Sequence, residues 1–141
     1  MRLVGFSFTK ISIEKFKDTA EEVKFNTKID ISSIEPLKSD LIKVKDEPLK
    51  IDFIYSVLYE PGYAKLELAG TMILSIEPRI ARDILKGWKD KEMSEEFRIF
   101  MFNIILRKSN IKSLELEDEL NLPPHIPLPV LNKENIQSKK D

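Results

Sequence analysis

Apolar and polar residues alternate along the first half of this chain and recur at helical spacing along the second. Residues 2–13 read as a strand with Val4, Phe6 and Phe8 on one face. The phase changes near Thr9–Lys10 and resumes at Ile11 and Ile13, which predicts a bulge or bend there. From Val23 to Ser33 the alternation is clean, with Val23, Phe25, Ile29 and Ile31 facing one way and Lys24, Asn26, Lys28, Asp30 and Ser32 the other. That is the pattern of a half-buried strand. Leu49–Tyr59 and Tyr63–Ile76 form the strongest local unit, joined by "EPGY", whose Pro61-Gly62 pair suits the centre of a type II turn. A two-residue loop sets Tyr59 opposite Ala64, Val57 opposite Leu66, Tyr55 opposite Leu68, Phe53 opposite Gly70 and Ile51 opposite Met72, so the apolar faces coincide and an aromatic covers the strand's one glycine.

The connection "PLKSDLIKVKDEP", between Pro36 and Pro48, is too long for a tight hairpin and is expected to cross the sheet or carry a short strand. Glu77-Pro78 opens a helix with an apolar stripe of Ile80, Ile84, Leu85 and Trp88, weakening at Gly87. Ser94 then caps a second helix, with Glu95 and Glu96 at the positive end of its dipole. In "FRIFMFNIILRK" apolar residues occupy nearly every angle around the axis, so this helix must be covered on all sides. A small sheet covers one side, and a second copy of the chain is the natural cover for the other, the alternative being that the first helix and the proline strip do all the covering. Phe97, Met101, Phe102 and Ile105 are the interface candidates. The helix runs on through the acidic "ELEDEL" into "NLPPHIPLPVL", which holds four of the chain's eight prolines. Proline fixes φ and lacks an N–H, so this strip runs extended, and its apolar residues place it on a surface. The sum is an α+β fold: a four-stranded antiparallel sheet, two helices and a proline-rich extended segment, in a single domain over residues 1–131, with 132–141 as a disordered tail.

Composition narrows the function classes. With 23 basic and 24 acidic side chains the surface lacks the concentrated positive field that nucleic acid requires. The absence of cysteine excludes disulfides and thiolate metal sites, and no stretch approaches the ~20 apolar residues of a membrane span, which places the protein in the cytoplasm with no stable membrane insertion. The single histidine, His125, sits between prolines and reads as a surface or packing residue; Glu115, Glu117, Asp118 and Glu119 read as a solvated helix end. Four dispersed glycines make no phosphate cradle, no nucleophilic triad is present, and no metal or cofactor is expected. The chain does not read as an enzyme. What remains is apolar: Leu41, Ile42 and Val44 in a connection that is usually polar, and Trp88 at a helix end. These are either core or one wall of a groove for other apolar chains.

With its strand order, its "IEPRIARDILKGW" helix and its "FMFNIILRKSNIKSLELEDELNLPPHIPLPVL" helix-then-proline ending, the chain resembles the SecB-like family of protein-export chaperones, particularly archaeal members, over about residues 2–131. The resemblance implies a homo-oligomer built as a dimer of dimers through the long helices. It also implies an ATP-independent holdase that binds unfolded polypeptide clients in apolar grooves. By position, the implied groove residues are Leu41, Ile42, Val44, Phe53, Tyr55 and Trp88. A net charge of −1 departs from the marked acidity of SecB, leaving export, general and client-dedicated roles open. The competing class is an oligomeric scaffold on the same fold without a client groove.

Overall fold

A computed structural model describes residues 1–18, 22–37 and 46–134. Four strands, β1 (Arg2–Lys15), β2 (Lys24–Pro36), β3 (Glu47–Glu60) and β4 (Ala64–Ile76), precede two helices, α1 (Pro78–Lys89) and α2 (Glu95–Glu119). The strands form one antiparallel sheet in the order β1-β4-β3-β2. This is the expected α+β architecture.

The β3–β4 register is the one the apolar pattern dictates, from Tyr59↔Ala64 to Ile51↔Met72. Phe53 fills the space over Gly70 so closely that a Cβ there would lie 2.7 Å from the ring. Phe6 and Phe8 join Phe53 at centroid distances of 5.4 and 6.5 Å, so the glycine lets an aromatic cluster span three strands. The tip differs from the expected two-residue turn. The Glu60–Pro61 bond is cis, Gly62 has φ +63°, and the Tyr63 N–H donates to the Tyr59 carbonyl four residues back.

In β1 the expected shift lies between Phe8 and Lys10, and a second lies between Leu3 and Gly5. Val4 falls in that second bulge and is exposed, so Leu3, not Val4, joins Phe6 and Phe8 against the core. A bulge between Ile31 and Ser33 likewise rephases β2 and carries Ile34 inside. β2 and β3 are neighbours, closed by Leu37 N–H to the Pro48 carbonyl, so the Pro36–Pro48 connection starts and ends on adjacent strands. Residues 38–45 of the Pro36–Pro48 connection lie outside the described residues, and the β1–β2 link joins strands at the two opposite edges of the sheet. Its Phe16 and Lys17 N–H groups donate to Tyr63 O at the hairpin tip.

Both helices pack on one face of the sheet. Leu49, Ile51, Phe53, Met72, Leu74 and Ile76 meet Ala81 and Ile84 of α1 and Phe97, Met101 and Ile105 of α2. In α1 the inward residues are Ala81 and Ile84, with Ile80 turned outward, one position off the expected stripe. Ser94 caps α2 as expected, its Oγ accepting from Phe97 N–H at 3.2 Å. Lys15 at the end of β1 donates to Leu120 O just beyond the other end, where the helix dipole favours a cation. The opposite face of the sheet is mixed and half-buried, with Ile54, Leu58, Ala69 and Ile73 among its polar residues; there Asp52 accepts from Ser33 and Thr71 on the two flanking strands, at 2.9 and 2.6 Å.

Candidate client-binding surface

The residues singled out for a groove fall in three places. Leu41, Ile42 and Val44 lie outside the described residues. Phe53 and Tyr55 are 1% and 0% exposed, because β3 is an inner strand and its odd-numbered side chains point under the helices. As client contacts they are corrected to core: neither has surface to offer. Trp88 is half-buried at the end of α1, and the Lys91 ammonium stands 4.0 Å from its ring centroid. It shares a core cluster with Ile34 and Leu49, which flank the connection carrying Leu41, Ile42 and Val44.

Beside Trp88 lies an open cleft of about 460 Å³ that the sequence did not reveal. Ile80, Ile84 and Met93 form its apolar lining, Asp83 and Glu92 its acidic rim, and Gly87 its floor. Gly87 is needed because the Glu92 carbonyl passes 2.9 Å from where a Cβ would stand, as the chain folds back through Lys91 (φ +57°). The readable signal was Ile80 with Ile84 one turn on, followed by Met93 just past the reversal.

The interface candidates divide in the same way. Phe97, Met101 and Ile105 are 0–1% exposed against the chain's own sheet, which corrects their assignment to a contact between copies; Phe102 is half-buried. The apolar residues of α2 left open to solvent are Ile99 and Ile111, 52% and 56% exposed. On the edge strand β1, Val4 and Ile11 are open as well.

A second assembly stands at the other end of α2. Glu117 is not solvated: its side chain is 1% exposed, and it accepts from the Tyr59 hydroxyl and from the His125 main-chain N–H at 3.3 Å. His125 Nδ1 lies 3.0 Å from both carboxylate oxygens. The other ring nitrogen lies 2.8 Å from the Tyr55 hydroxyl and 3.0 Å from Asn110 Oδ1, which accepts from Tyr55 at 2.7 Å. Burial, with the Glu117 charge adding to it, pushes the Tyr55 phenol up to about 12. Burial raises Tyr59 as well, reinforced by its hydrogen bond to Glu117. Among the described residues no group of histidine, cysteine or carboxylate side chains could hold a metal ion.

A four-stranded antiparallel sheet in this order, covered on one face by two helices that follow it in sequence, is a SecB-like fold. Among solved structures, the chain is similar to the SecB-like chaperone Rv1957 of Mycobacterium tuberculosis, determined in complex with a ChAD peptide from the Rv1956 HigA1 antitoxin. The two share 9% identity with a TM-score of 0.54, over 93% of this chain and 87% of that one. No family model and no curated protein sequence matches the chain.

Proposed function

We propose that this protein is an ATP-independent holdase that binds unfolded or non-native polypeptides as a cytoplasmic homo-oligomer. The observation that carries the reading is the near full-length SecB-like fold, whose solved neighbour holds a peptide. Apolar surface supports it: Trp88 and the adjacent Ile80–Ile84–Met93 cleft open at the end of the sheet where the connection bearing Leu41, Ile42 and Val44 attaches. An extended client exposes apolar side chains at every second residue, and such a surface takes them with little sequence demand. No catalytic step is assigned to the chain, and no helix among the described residues is long and apolar enough to cross a membrane.

The oligomer is proposed as a dimer of dimers. With Phe97, Met101 and Ile105 turned inward, the surfaces for a second copy are the exposed Ile99 and Ile111 positions of α2, with half-buried Phe102 between them in sequence, and the β1 edge. β2, at the other edge, carries an in-line Lys28–Asp30 ion pair that discourages pairing, whereas β1 presents apolar Val4 and Ile11. The test is suppression of aggregation of several unrelated denatured clients at near-stoichiometric ratio without nucleotide. Protection that requires ATP, or none at all, rejects the holdase and favours the scaffold.

A further inference from the structure

The chain is close to neutral, with 23 basic and 24 acidic side chains, but its charges are unevenly spread along the helices. On α1, Arg79, Arg82, Lys86 and Lys89 recur at alternating steps of three and four residues, so they form one stripe about 15 Å long. All four are exposed, and among the described residues none pairs with a carboxylate. Arg82 Nε donates only to the Pro78 carbonyl of its own helix, and Asp83 is the one acid on α1. The opposite charge lies at the far end of α2. There Glu115 and Asp118 continue the line of Ile111 one and two turns on, Glu119 flanks it, and all three acids are exposed. Among the described residues Glu115 pairs with Lys112 at 3.0 Å, and Asp118 and Glu119 pair with no cation. These carboxylates stand about 30 Å of helix beyond Ser94, whereas screened charges act over about 8 Å. The two patches of one chain therefore cannot neutralise each other.

We propose that the α1 stripe is a docking surface for the acidic end of α2 in a second copy of this chain, with the two copies related by a two-fold axis and their α2 helices antiparallel. A two-fold contact must be self-complementary, and a molecule with opposite charges at its two ends satisfies this when each end is set against the other. Each stripe then meets the other copy's carboxylates, and the contact occurs twice. Apolar surface accompanies both patches: Ile80 on α1 is 42% exposed and Ile111 on α2 is 56% exposed. Single exposed ion pairs contribute little, but a row of cations facing a row of acids fixes orientation and rejects the parallel arrangement, which sets stripe against stripe. The proposal rests on the homo-oligomer reading above and adds to it an orientation and the residues that set it.

Charge reversal on the full chain tests it by sedimentation velocity. Arg82→Glu with Lys86→Glu makes both patches acidic, and Asp118→Lys with Glu119→Lys makes both basic. Each variant alone is expected to self-associate about tenfold or more weakly than the wild type. An equal mixture of the two is expected to recover wild-type association, because every patch then finds its opposite. Undiminished association of either variant, or a mixture that stays dissociated, overturns the antiparallel contact and leaves the wild-type oligomer standing on other surfaces. A wild type that is monomeric at every concentration rejects the contact and the homo-oligomer together. Circular dichroism checks that the fold is kept, and Lys86→Glu mixed with Asp118→Lys takes over the test if a double substitution unfolds the chain.

Discussion

The two halves of α2 bury their residues at the same spacing and for different ends. Phe97, Met101 and Ile105 continue every fourth position into Ser109, Ser113 and Glu117, all six buried. In the first half this stripe is large and apolar and meets the aromatic and aliphatic residues of β3 and β4. In the second half it is small and then charged, and it meets the hydroxyl ends of Tyr55 and Tyr59 and the ring of His125. The first half is an adhesive surface indifferent to direction, whereas the second pairs the Glu117 carboxylate with Tyr59 and His125 and leaves the Ser109 and Ser113 hydroxyls buried without a hydrogen bond among the described residues. Side-chain spacing sets what is buried; chemistry sets whether burial holds the whole domain or one segment.

Four perturbations separate the halves, from the largest effect to the smallest. Met101→Asp places an unpaired charge in the dry half and is expected to cost about 3–5 kcal/mol, unfolding the chain in a urea titration. Glu117→Ala at the polar half leaves the Tyr59 hydroxyl and His125 without their acceptor and is expected to cost about 1–3 kcal/mol, with most of the lost protection at the C-terminal end of α2. If the two substitutions unfold the domain alike, the halves are not distinct. Alkali acts on the second half through its buried phenols. Because Tyr55 is raised from 10.0 to about 12, unfolded chains ionise it first, so its contribution to stability is intact below pH 10 and lost as pH rises toward 12. Chemical unfolding across that range is expected to show a decline that Tyr55→Phe reduces, while Met101→Leu leaves it in place. Smallest in stability is Ile99→Ser with Ile111→Ser, within about 0.5 kcal/mol per site because both are exposed. Light scattering is nevertheless expected to show a smaller oligomer. Unchanged mass would remove the outward side of α2 as an interface.

How much of this was legible in the sequence follows the same division. The hairpin register could be read because β3 and β4 are inner strands whose apolar faces must coincide, and the Ser94 cap because its chemistry is local. Bulges at Val4 and Ser32 were hidden, since each adds one residue without changing composition. Phe53 and Tyr55 looked available to a client because alternation marks a buried face without showing how completely helices cover it. Phe97, Met101 and Ile105 look equally suited to a contact between copies for the related reason that an all-round apolar helix does not say which side takes the sheet. The His125–Glu117 pairing was missed through charge: an acidic run at a helix end is ordinarily solvated, and the sign that one member was not, its place on the period-four line from Phe97, becomes visible only once that line is known to be buried.

Binding of a permanently unfolded polypeptide to the assembled protein, with no nucleotide present, tests the central claim most directly. In a titration followed by fluorescence anisotropy, labelled reduced and alkylated α-lactalbumin is expected to bind saturably. The same protein with its disulfides intact is expected to compete at least tenfold more weakly, a difference of about 1.4 kcal/mol or more. Equal affinity for the native and unfolded forms, or no binding at concentrations where the oligomer is intact, would contradict the account and leave the fold serving as a scaffold.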